Sequence, residues 1–261
     1  MTQHISEGPS SATRRDVLKT GGALVITFSL GACATRIESA ADDLPLAKTV
    51  ALDQVDGFLA IDAKGRVTVF SGKVDLGTGI QTAMAQIAAE ELSVPFDRVT
   101  VIQGDTSLTP DQGVTYGSLS IQNGGMQIRQ AAATAREALL AEGAVRLGVD
   151  KDAVGVREGV VAPKAGGKGI EYAELIGGKD FRLAVDLKAT PKDPKDYTIV
   201  GKSVERVDIP DKVTARFTYM QDFKRKGMLH ARVIRPKAMK ATLQSWNDAN
   251  CRKNPGYVGV V

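Results

Sequence analysis

The feature that most constrains the fold is a strand-like stretch that leads through a Gly-Thr-Gly loop directly into a helix. Polar and apolar residues alternate between Phe58 and Ser71 around a central Ala63-Lys64-Gly65, which predicts a β-hairpin. The loop Gly77-Thr78-Gly79 follows, and apolar residues then recur at helical spacing from Ile80 to Leu92. The pattern therefore predicts a hairpin, a glycine loop and a helix in succession.

The glycine loop has two physical interpretations. The first turn of a helix leaves backbone N–H groups unpaired at the positive end of the helix dipole, which favours an anionic ligand such as a phosphate or a pterin. Gly77 and Gly79 would let such a ligand reach the backbone. Alternatively, Thr78 and Gln81 have the spacing of a capping box, which would satisfy the same N–H groups within the chain. A single Gly-x-Gly motif is too weak a signal to distinguish ligand binding from helix capping.

A second polar loop leads into a second helix in the same way. Val99–Gln103 is predicted to be a strand, and the loop after it contains Thr115-Tyr116-Gly117-Ser118-Leu119-Ser120. Two strand–loop–helix units could bring both loops to one polyanionic cofactor. The alternative is that Ser118 or Ser120 caps the second helix, as serine before a helix usually does.

The remainder of the chain predicts a mixture of helices and strands. The second helix should end at Leu147 with Gly148 as its C-cap, and its buried face should hold Ile128, Ala131, Ala135 and Leu139. The further predictions are a strand pair over Val154–Val161, a short helix over Tyr172–Ile176, a Pro- and Lys-rich linker over 186–198 and a β-rich segment from Ile199.

Composition excludes several classes of protein. With 43% hydrophobic and 25% charged residues in 261, the chain has enough apolar material for one large domain or two ordinary ones. The net charge of +4 comes from dispersed lysines and arginines, which does not favour nucleic-acid binding. The chain has only two cysteines and two histidines, so no Cys/His zinc site can be assembled: Cys33, Cys251, His4 and His230.

The N-terminal region has the pattern of an export signal. Arg14 and Arg15 precede an apolar run, Gly21–Leu30, that is too short to span a bilayer. Paired arginines in this position predict twin-arginine export to the periplasm; an ordinary amphipathic helix is the alternative. The box Leu30-Gly31-Ala32-Cys33 also resembles a lipoprotein cleavage site, and lipidation of Cys33 would attach the protein to a membrane.

Three motifs in fixed order behind this signal carry a family resemblance. They are SGKVDLGTGIQTAMAQIAAEEL from Ser71, GDTSLTPDQGVTYGSLSIQNGG from Gly104, and GKSVERVDIPDKVTARFTYMQDFKRKGMLHARVIRP from Gly201. Together they resemble the molybdopterin-binding large subunit of the xanthine and aldehyde oxidase superfamily. The similarity is greatest to the branch of isoquinoline 1-oxidoreductase, nicotinate dehydrogenase and membrane-associated aldehyde dehydrogenases.

The resemblance implies an α+β fold made of a partial molybdopterin-binding domain, with strands and two longer helices, and the start of a hammerhead-like α/β domain. The implied organisation is an export signal and tether over 1–45, the N-terminal part of the molybdopterin-binding domain over 46–185, the linker over 186–198, and a truncated hammerhead-like domain over 199–261. Ala215, Lys226 and Lys237 stand where the family often has Gly, Pro and Pro, at turn positions.

The resemblance also implies a cofactor and its contacts. The family holds molybdenum on a molybdopterin, usually the cytosine dinucleotide, and the matching positions here are Gly77, Thr78, Gly79, Gly117, Ser118, Leu119 and Ser120. Many relatives have glutamine at position 78, so the shorter Thr78 is expected to contribute its backbone. The implied partners are a small [2Fe–2S] subunit, the remaining C-terminal part of the large subunit and a cytochrome c electron acceptor.

The resemblance places the family's catalytic glutamate in a segment beyond this chain, so no catalytic residue and no metal ligand is predicted here. Glu90 and Glu91 are predicted to lie on a solvated helix face. The implied function is therefore the N-terminal portion of a molybdenum hydroxylase that oxidises an aldehyde or an N-heterocycle with water as the oxygen source, inactive alone. The alternative is a non-catalytic exported or lipidated remnant that binds a partner protein.

Overall fold

The computed structural model describes residues 48–176 and 179–261. The predicted export signal with Arg14 and Arg15, the tether and Cys33 lie outside the described residues. The chain divides into two units, one ending at Phe217 and the other comprising Thr218–Val261. All of the described strands lie in the first unit.

The first sheet has three strands and contains the predicted hairpin. After a short helix α1 (Val55–Phe58), strand β1 (Leu59–Ile61) pairs antiparallel with β2 (Val67–Ser71). Strand β3 (Val99–Gln103) has the predicted bounds and pairs in parallel with β2. The central strand β2 is buried along its whole length because both of its edges are paired and both of its faces are covered.

Two long helices pack against each other. Together with the strands, they confirm the predicted α+β fold. Helix α2 covers Ile80–Leu92 as predicted. Helix α3 (Met126–Leu147) follows a π-helical turn, Ser120–Gly125, and ends at Gly148, whose left-handed conformation makes it the predicted C-cap. The predicted apolar face of α3 is buried: Ile128, Ala131, Ala135 and Leu139.

A second, antiparallel sheet packs on α3. Its strands are β4 (Val154–Arg157), β5 (Val160–Pro163) and β6 (Ile170–Glu171), which confirms the predicted strand pair and adds a third strand. Helix α4 (Tyr172–Ile176) has the predicted bounds. The approach of α3 to β5 requires a glycine at position 143, since a Cβ there would lie 2.6 Å from Cγ1 of Val161. One hydrophobic core joins both sheets and both long helices.

The prediction of a β-rich segment from Ile199 is wrong. Residues 199–261 are all described and contain no strand; the regular elements in this range are helix α5 (Ile209–Val213) and two 3₁₀ turns. A strand is stable only beside a hydrogen-bonded neighbour. Here the N–H groups of Ile199 and Val200 instead donate to the side chain of Glu90, at 2.5 and 3.0 Å.

The segment predicted to be a linker is fixed to helix α3 of the same unit by hydrogen bonds. Arg136 donates to the carbonyl of Thr190 at 2.7 Å, and Arg129 donates to the carbonyl of Lys192 at 2.6 Å. The only regular structure in this segment is a 3₁₀ turn, Pro194–Asp196. Residues 186–200, here called the strap, therefore lie across helices α2 and α3 instead of hanging free between domains.

The second unit has no core of its own. None of its residues is buried, and its large apolar side chains are strongly exposed, among them Met220 at 90% and Ile234 at 92%. Just before it, Ala215 has a φ of 57°, in the left-handed region that favours glycine. This conformation accounts for the glycine that the resemblance places at the same turn, and costs alanine about 1 kcal/mol or more.

Candidate functional site

The two glycine-containing loops leave the sheet at the same edge. Strands β2 and β3 run in parallel, and Ser71 at the end of β2 is directly paired with Gln103 at the end of β3. The first loop (72–79) and the second loop (104–119) therefore start side by side. The carboxyl edge of parallel strands is where α/β sheets commonly hold ligands. The predicted convergence of the two loops is thus present, and it follows from the parallel pairing.

Gln112 of the second loop bridges three segments. Its buried side-chain oxygen accepts hydrogen bonds from the backbone N–H of Gly72 and from the hydroxyl of Ser71, both at 3.0 Å. Its side-chain nitrogen donates to the carbonyl of Gly124 in the π-helical turn, at 3.1 Å. One amide thus ties the end of β2, the second loop and the start of the second helical region together. Sequence reasoning did not single out this residue.

Three further hydrogen bonds join the loops. The backbone N–H of Val74 donates to the hydroxyl oxygen of Thr115 at 3.1 Å. The ammonium of Lys73 donates to the carbonyl of Val114 at 2.7 Å, with Gly113 O also at 3.4 Å. Together with the Gln112 bonds, these contacts hold the two loops as one structure. Lys73 lies inside the first loop, four residues before Gly77, and no local sequence pattern identified it.

The N–H groups of the first loop are satisfied internally, but not by the predicted capping box. The carboxylate of Asp75 accepts from the backbone N–H groups of Gly77, Gly79 and Gln81, at 2.7, 3.2 and 3.3 Å. The side chain of Thr78 makes no capping bond. Burial alone raises the pKa of Asp75, but the N–H groups of Gln81, Gly77 and Gly79 outweigh it and hold that pKa below its usual value.

The Gln81 side chain donates to the carbonyl of Val101 at 3.1 Å, so it is not available for a capping box. The N-cap position of helix α2 is instead Gly79, in a left-handed conformation with a φ of 80°. Because Asp75 already accepts from these N–H groups, they are not free to donate to a ligand. The first loop could contact a ligand through its exposed backbone surface instead.

The two glycines of the first loop differ in their surroundings. Gly77 has a φ of 95°, and a Cβ built on it meets no heavy atom within 4 Å, so its outer face is open. A Cβ on Gly79 would lie 3.2 Å from the Nε of Arg206. The Arg206 guanidinium also donates to the carbonyl of Gly77 at 3.1 Å. Arg206 therefore places a positive charge directly on the loop, a contact across more than a hundred residues that the sequence did not reveal.

The position of Arg206 is fixed by a small ionic cluster. Its Nε and Nη2 bond both oxygens of Asp208, at 3.0 and 2.7 Å, and the Lys212 ammonium lies 2.6 Å from the same carboxylate. Hydrogen bonds from Arg206 and Lys212 hold the pKa of Asp208 far below its usual value. Two cations share one carboxylate, so the cluster carries a net positive charge beside the first loop.

The second loop presents free polar groups. Gly117 and Ser118 are both left-handed, with φ of 61° and 59°, and such a conformation in a residue other than glycine often marks a functional site. Neither Ser118 nor Ser120 caps a helix, which corrects the capping alternative. Among the described residues, their hydroxyls have no hydrogen-bond partner. Leu119 is half-buried, and its N–H donates to the carbonyl of Tyr116 at 3.2 Å.

The two loops also carry large apolar side chains that are exposed. Leu76 and Val114 are each 68% exposed, and Tyr116 is 66% exposed. Large apolar residues exposed together around polar loops are typical of a surface that another molecule covers. The side-chain nitrogen of Gln103, at the end of β3, is buried and has no hydrogen-bond partner within the described part of the chain. A site for a larger, partly polar molecule fits these features.

Glu91 is not on a solvated helix face, contrary to the sequence-based prediction. It is only 1% exposed and forms ion pairs with Arg136 and, at 3.4 Å, with Arg129. It also accepts the backbone N–H of Lys192 in the strap, at 2.9 Å. A carboxylate engaged by two guanidinium groups and a backbone donor is a structural ion pair, with no capacity left for a proton transfer to a substrate.

Glu90 is buried in the same way, at 2% exposure. The backbone N–H groups of Thr198, Ile199 and Val200 all donate to one of its oxygens, and the Lys192 ammonium bonds the other at 3.1 Å. Burial raises the pKa of Glu90, but these donors outweigh it and hold the pKa below its usual value. Glu90 and Glu91 thus anchor the strap, and neither belongs to the two-loop site.

The described residues contain no group of three His, Cys, Asp or Glu side chains that could hold a metal ion. Over the same residues, no helix combines the length and the apolar character needed to cross a membrane.

The chain is similar in sequence to a known family and to several known enzymes. Residues 17–219 match the molybdopterin cofactor-binding domain family. A subunit of nicotinate dehydrogenase from Pseudomonas putida is 43% identical over 212 residues, which cover 78% of this chain and 18% of that protein. The beta subunit of isoquinoline 1-oxidoreductase from Brevundimonas diminuta is 25% identical over 294 residues, covering 95% of this chain and 36% of that protein.

The membrane-bound aldehyde dehydrogenase [pyrroloquinoline-quinone] of Gluconacetobacter polyoxogenes is 28% identical over 258 residues, covering 95% of this chain and 33% of that protein. The chain therefore spans between about a fifth and a third of the length of these relatives. The family match includes both strands that carry the loops, both loops, both long helices and the Arg206 cluster. On this match the chain belongs to the molybdopterin cofactor-binding domain family.

Proposed function

We propose that this chain supplies two of the loops that hold the molybdenum cofactor in a molybdenum hydroxylase large subunit. The complete enzyme would oxidise an aldehyde or an N-heterocycle with water as the source of oxygen. The observation that carries the proposal is the joining of the two loops at one sheet edge by Gln112, Lys73 and Thr115. In a member of this family, such a shared edge is the expected place for the cofactor.

The residues present fit a pterin bearing a phosphate. The open face of Gly77 lets a flat group approach the backbone, with Thr78 contributing main-chain atoms. The free hydroxyls of Ser118 and Ser120 and the exposed backbone at Gly117 can donate hydrogen bonds to phosphate oxygens. Leu119, half-buried beside them, would hold that backbone in place.

Arg206 supports the same assignment. Its guanidinium bonds the Gly77 carbonyl and places a cation at the first loop, where it offsets the Asp75 carboxylate that the loop itself carries. The exposed Leu76, Val114 and Tyr116 would be covered by the bound group and by the rest of the enzyme. When bound, the molybdenum centre would supply the redox chemistry; this chain's residues would bind and orient it, and none of those described would act as the proton acceptor.

The finer assignments are part of the proposal. The cofactor would be the cytosine dinucleotide form of molybdopterin, and the partners would be a small [2Fe–2S] subunit, the C-terminal part of the large subunit and a cytochrome c acceptor. The name of one relative gives pyrroloquinoline-quinone as that protein's cofactor; the family match favours molybdopterin here. The names of the relatives support nicotinate-like or isoquinoline-like heterocycles and aldehydes as substrates. No observation favours a non-catalytic remnant over this function.

The chain alone should retain little molybdenum and oxidise neither an aldehyde nor an N-heterocycle. Each charge-assisted hydrogen bond contributes about 1.5–3 kcal/mol, whereas association costs about 4–15 kcal/mol in lost freedom. Two loops therefore supply too few bonds to retain the cofactor. Co-expression with a complementary C-terminal piece and an iron–sulfur subunit should restore molybdenum, measured per protein by elemental analysis. Full occupancy and turnover by the isolated 261-residue chain would contradict this part of the proposal.

The protein is further proposed to be exported to the periplasm by the twin-arginine route. Replacing both Arg14 and Arg15 with lysine should leave the protein in the cytoplasm, because that machinery recognises the arginine pair. Cell fractionation tests this, and an unchanged periplasmic location would refute it. In the same experiment, Cys33→Ser should move membrane-attached protein to the soluble fraction if Cys33 is lipidated.

A further inference from the structure

We infer that Lys73 and Gln112 are positioning residues that set the second loop against the first and so build the two-loop site. The inference rests on the proposed function for its biological meaning. Its structural content stands on the hydrogen bonds and burial of the two side chains. Neither residue is proposed to touch the substrate.

Lys73 is unusual because its charge is buried without an acidic partner. The residue is 2% exposed, and the contacts described for its ammonium are with backbone carbonyls and not with a carboxylate. Its ammonium is satisfied by the Val114 and Gly113 carbonyls of the second loop. Burying a charge is costly unless its hydrogen bonds are made, so these carbonyls must stay in place for Lys73 to be tolerated. The coupling acts in both directions: the loop satisfies Lys73, and Lys73 fixes the loop.

The stem of Lys73 occupies a slot that requires a glycine. A Cβ on Gly124 would lie 2.8 Å from the Cγ of Lys73 and 3.5 Å from the side-chain nitrogen of Gln112. The Lys73 side chain therefore passes beside the π-helical turn on its way to the second loop, and the Gln112 side chain extends from the second loop to the end of β2 and to the same turn. Their placement depends on that turn, which connects the loop geometry to helix α3.

The second loop has few contacts of its own that could replace these. Between Gly113 and Leu119, its internal bonds are Gly113 N–H to the Asp111 carboxylate and Leu119 N–H to the Tyr116 carbonyl. Neither bond reaches the first loop. Without Lys73 and Gln112, the hydrogen bond from Val74 to Thr115 would be the one remaining polar tie between the loops among the described contacts.

The test is hydrogen exchange on the full chain. Lys73→Met keeps the apolar stem and removes the ammonium, and Gln112→Leu removes both polar atoms. In peptides covering 112–120, each variant should speed exchange of the two hydrogen-bonded amides, Gly113 and Leu119, about tenfold or more, because the loop that holds them loses its tie to the first loop. Gln112→Leu should also speed exchange of Gly72, whose N–H loses its acceptor. Gln112→Glu should partly restore protection, because it keeps the acceptor for Gly72 and Ser71 and loses the donor to the Gly124 carbonyl and to the side-chain oxygen of Gln127.

Two matched variants separate loop positioning from general destabilisation. Lys64→Met makes the same substitution at an exposed turn, and should leave exchange unchanged. Thr134→Val removes a buried hydroxyl that bonds Gln130 and Asp186. It should speed exchange over the strap but not over 112–120. If Lys73→Met leaves exchange over 112–120 at the wild-type rate, or speeds it no more there than in the rest of the unit, the inference is overturned.

A second measurement connects the loops to the cofactor. In the complex assembled with the C-terminal piece and the iron–sulfur subunit, Lys73→Met and Gln112→Leu should lower molybdenum per protein several-fold, while Lys64→Met should not. Wild-type occupancy in the two variants would contradict the positioning role. A wild-type complex without molybdenum would instead contradict the proposed function, and the exchange result would still decide the inference about the loops.

Discussion

Replacing Glu91 with alanine should lower the free energy of unfolding of this chain by about 3–5 kcal/mol, the usual cost of removing one partner from a buried ion pair. The carboxylate is 1% exposed and is shared by Arg136 and Arg129. Alanine would leave both guanidinium groups without their counter-charge, and Arg136 is itself only 11% exposed. It would also free the N–H of Lys192, so the strap should loosen at the same time.

Urea unfolding of the full chain measures this change. The matched control is Glu142→Ala, which removes a carboxylate from an exposed pair on helix α3: Glu142 and Arg146 are 48% and 43% exposed and lie 2.8 Å apart. That control should change the unfolding free energy by about 1 kcal/mol or less. Equal effects of the two substitutions would show that Glu91 is solvated, as the sequence alone suggested, and would remove the structural role assigned to it.

The unfolding measurement also distinguishes a structural role of Glu91 from a catalytic one. Two adjacent glutamates on the helix that follows the first glycine loop invite assignment as a general base. Their complete engagement by the strap and by arginines makes them structural instead. Substituting them should therefore reduce the amount of folded protein before it affects any catalytic step.

Elements defined by local patterns were predicted well. Strand β3, helix α2 and helix α4 have the predicted bounds, and helix α3 ends at Gly148 as expected. In each case the information lies within a few residues: the spacing of apolar positions, or a glycine able to adopt a left-handed C-cap. The two loops could likewise be located from their glycines and hydroxyls.

The features that the sequence did not predict depend on distant contacts. Asp75 caps helix α2 from outside the expected box, the strap is bound by Glu90 and Glu91, and Arg206 reaches the first loop from more than a hundred residues away. A charged residue looks solvated until its partners are known. The same reason explains why residues 199–261 contain no strand, because a segment forms a stable strand only where another strand can pair with it.

Replacing Gly77 with valine should remove most of the molybdenum from the assembled complex. The open space over Gly77 is where the cofactor would approach the backbone, and a branched side chain would fill it. Gly77 also has a φ of 95°, so any side chain is strained there by about 1–2 kcal/mol regardless of a ligand. Ser118→Ala combined with Ser120→Ala should have a milder effect, since it removes donors without blocking the approach.

The most direct test of the two-loop site compares Gly77→Val with Gly166→Val. Gly166 lies between β5 and β6 and has the same φ of 95°, and a Cβ placed on it likewise meets no heavy atom within 4 Å. It therefore reproduces the backbone strain away from the loops. The measurement is molybdenum per protein in the complex assembled with each variant. Binding at the first loop predicts strong loss for Gly77→Val and near wild-type content for Gly166→Val. Equal molybdenum content in the two variants would show that the Gly-Thr-Gly loop serves only the fold.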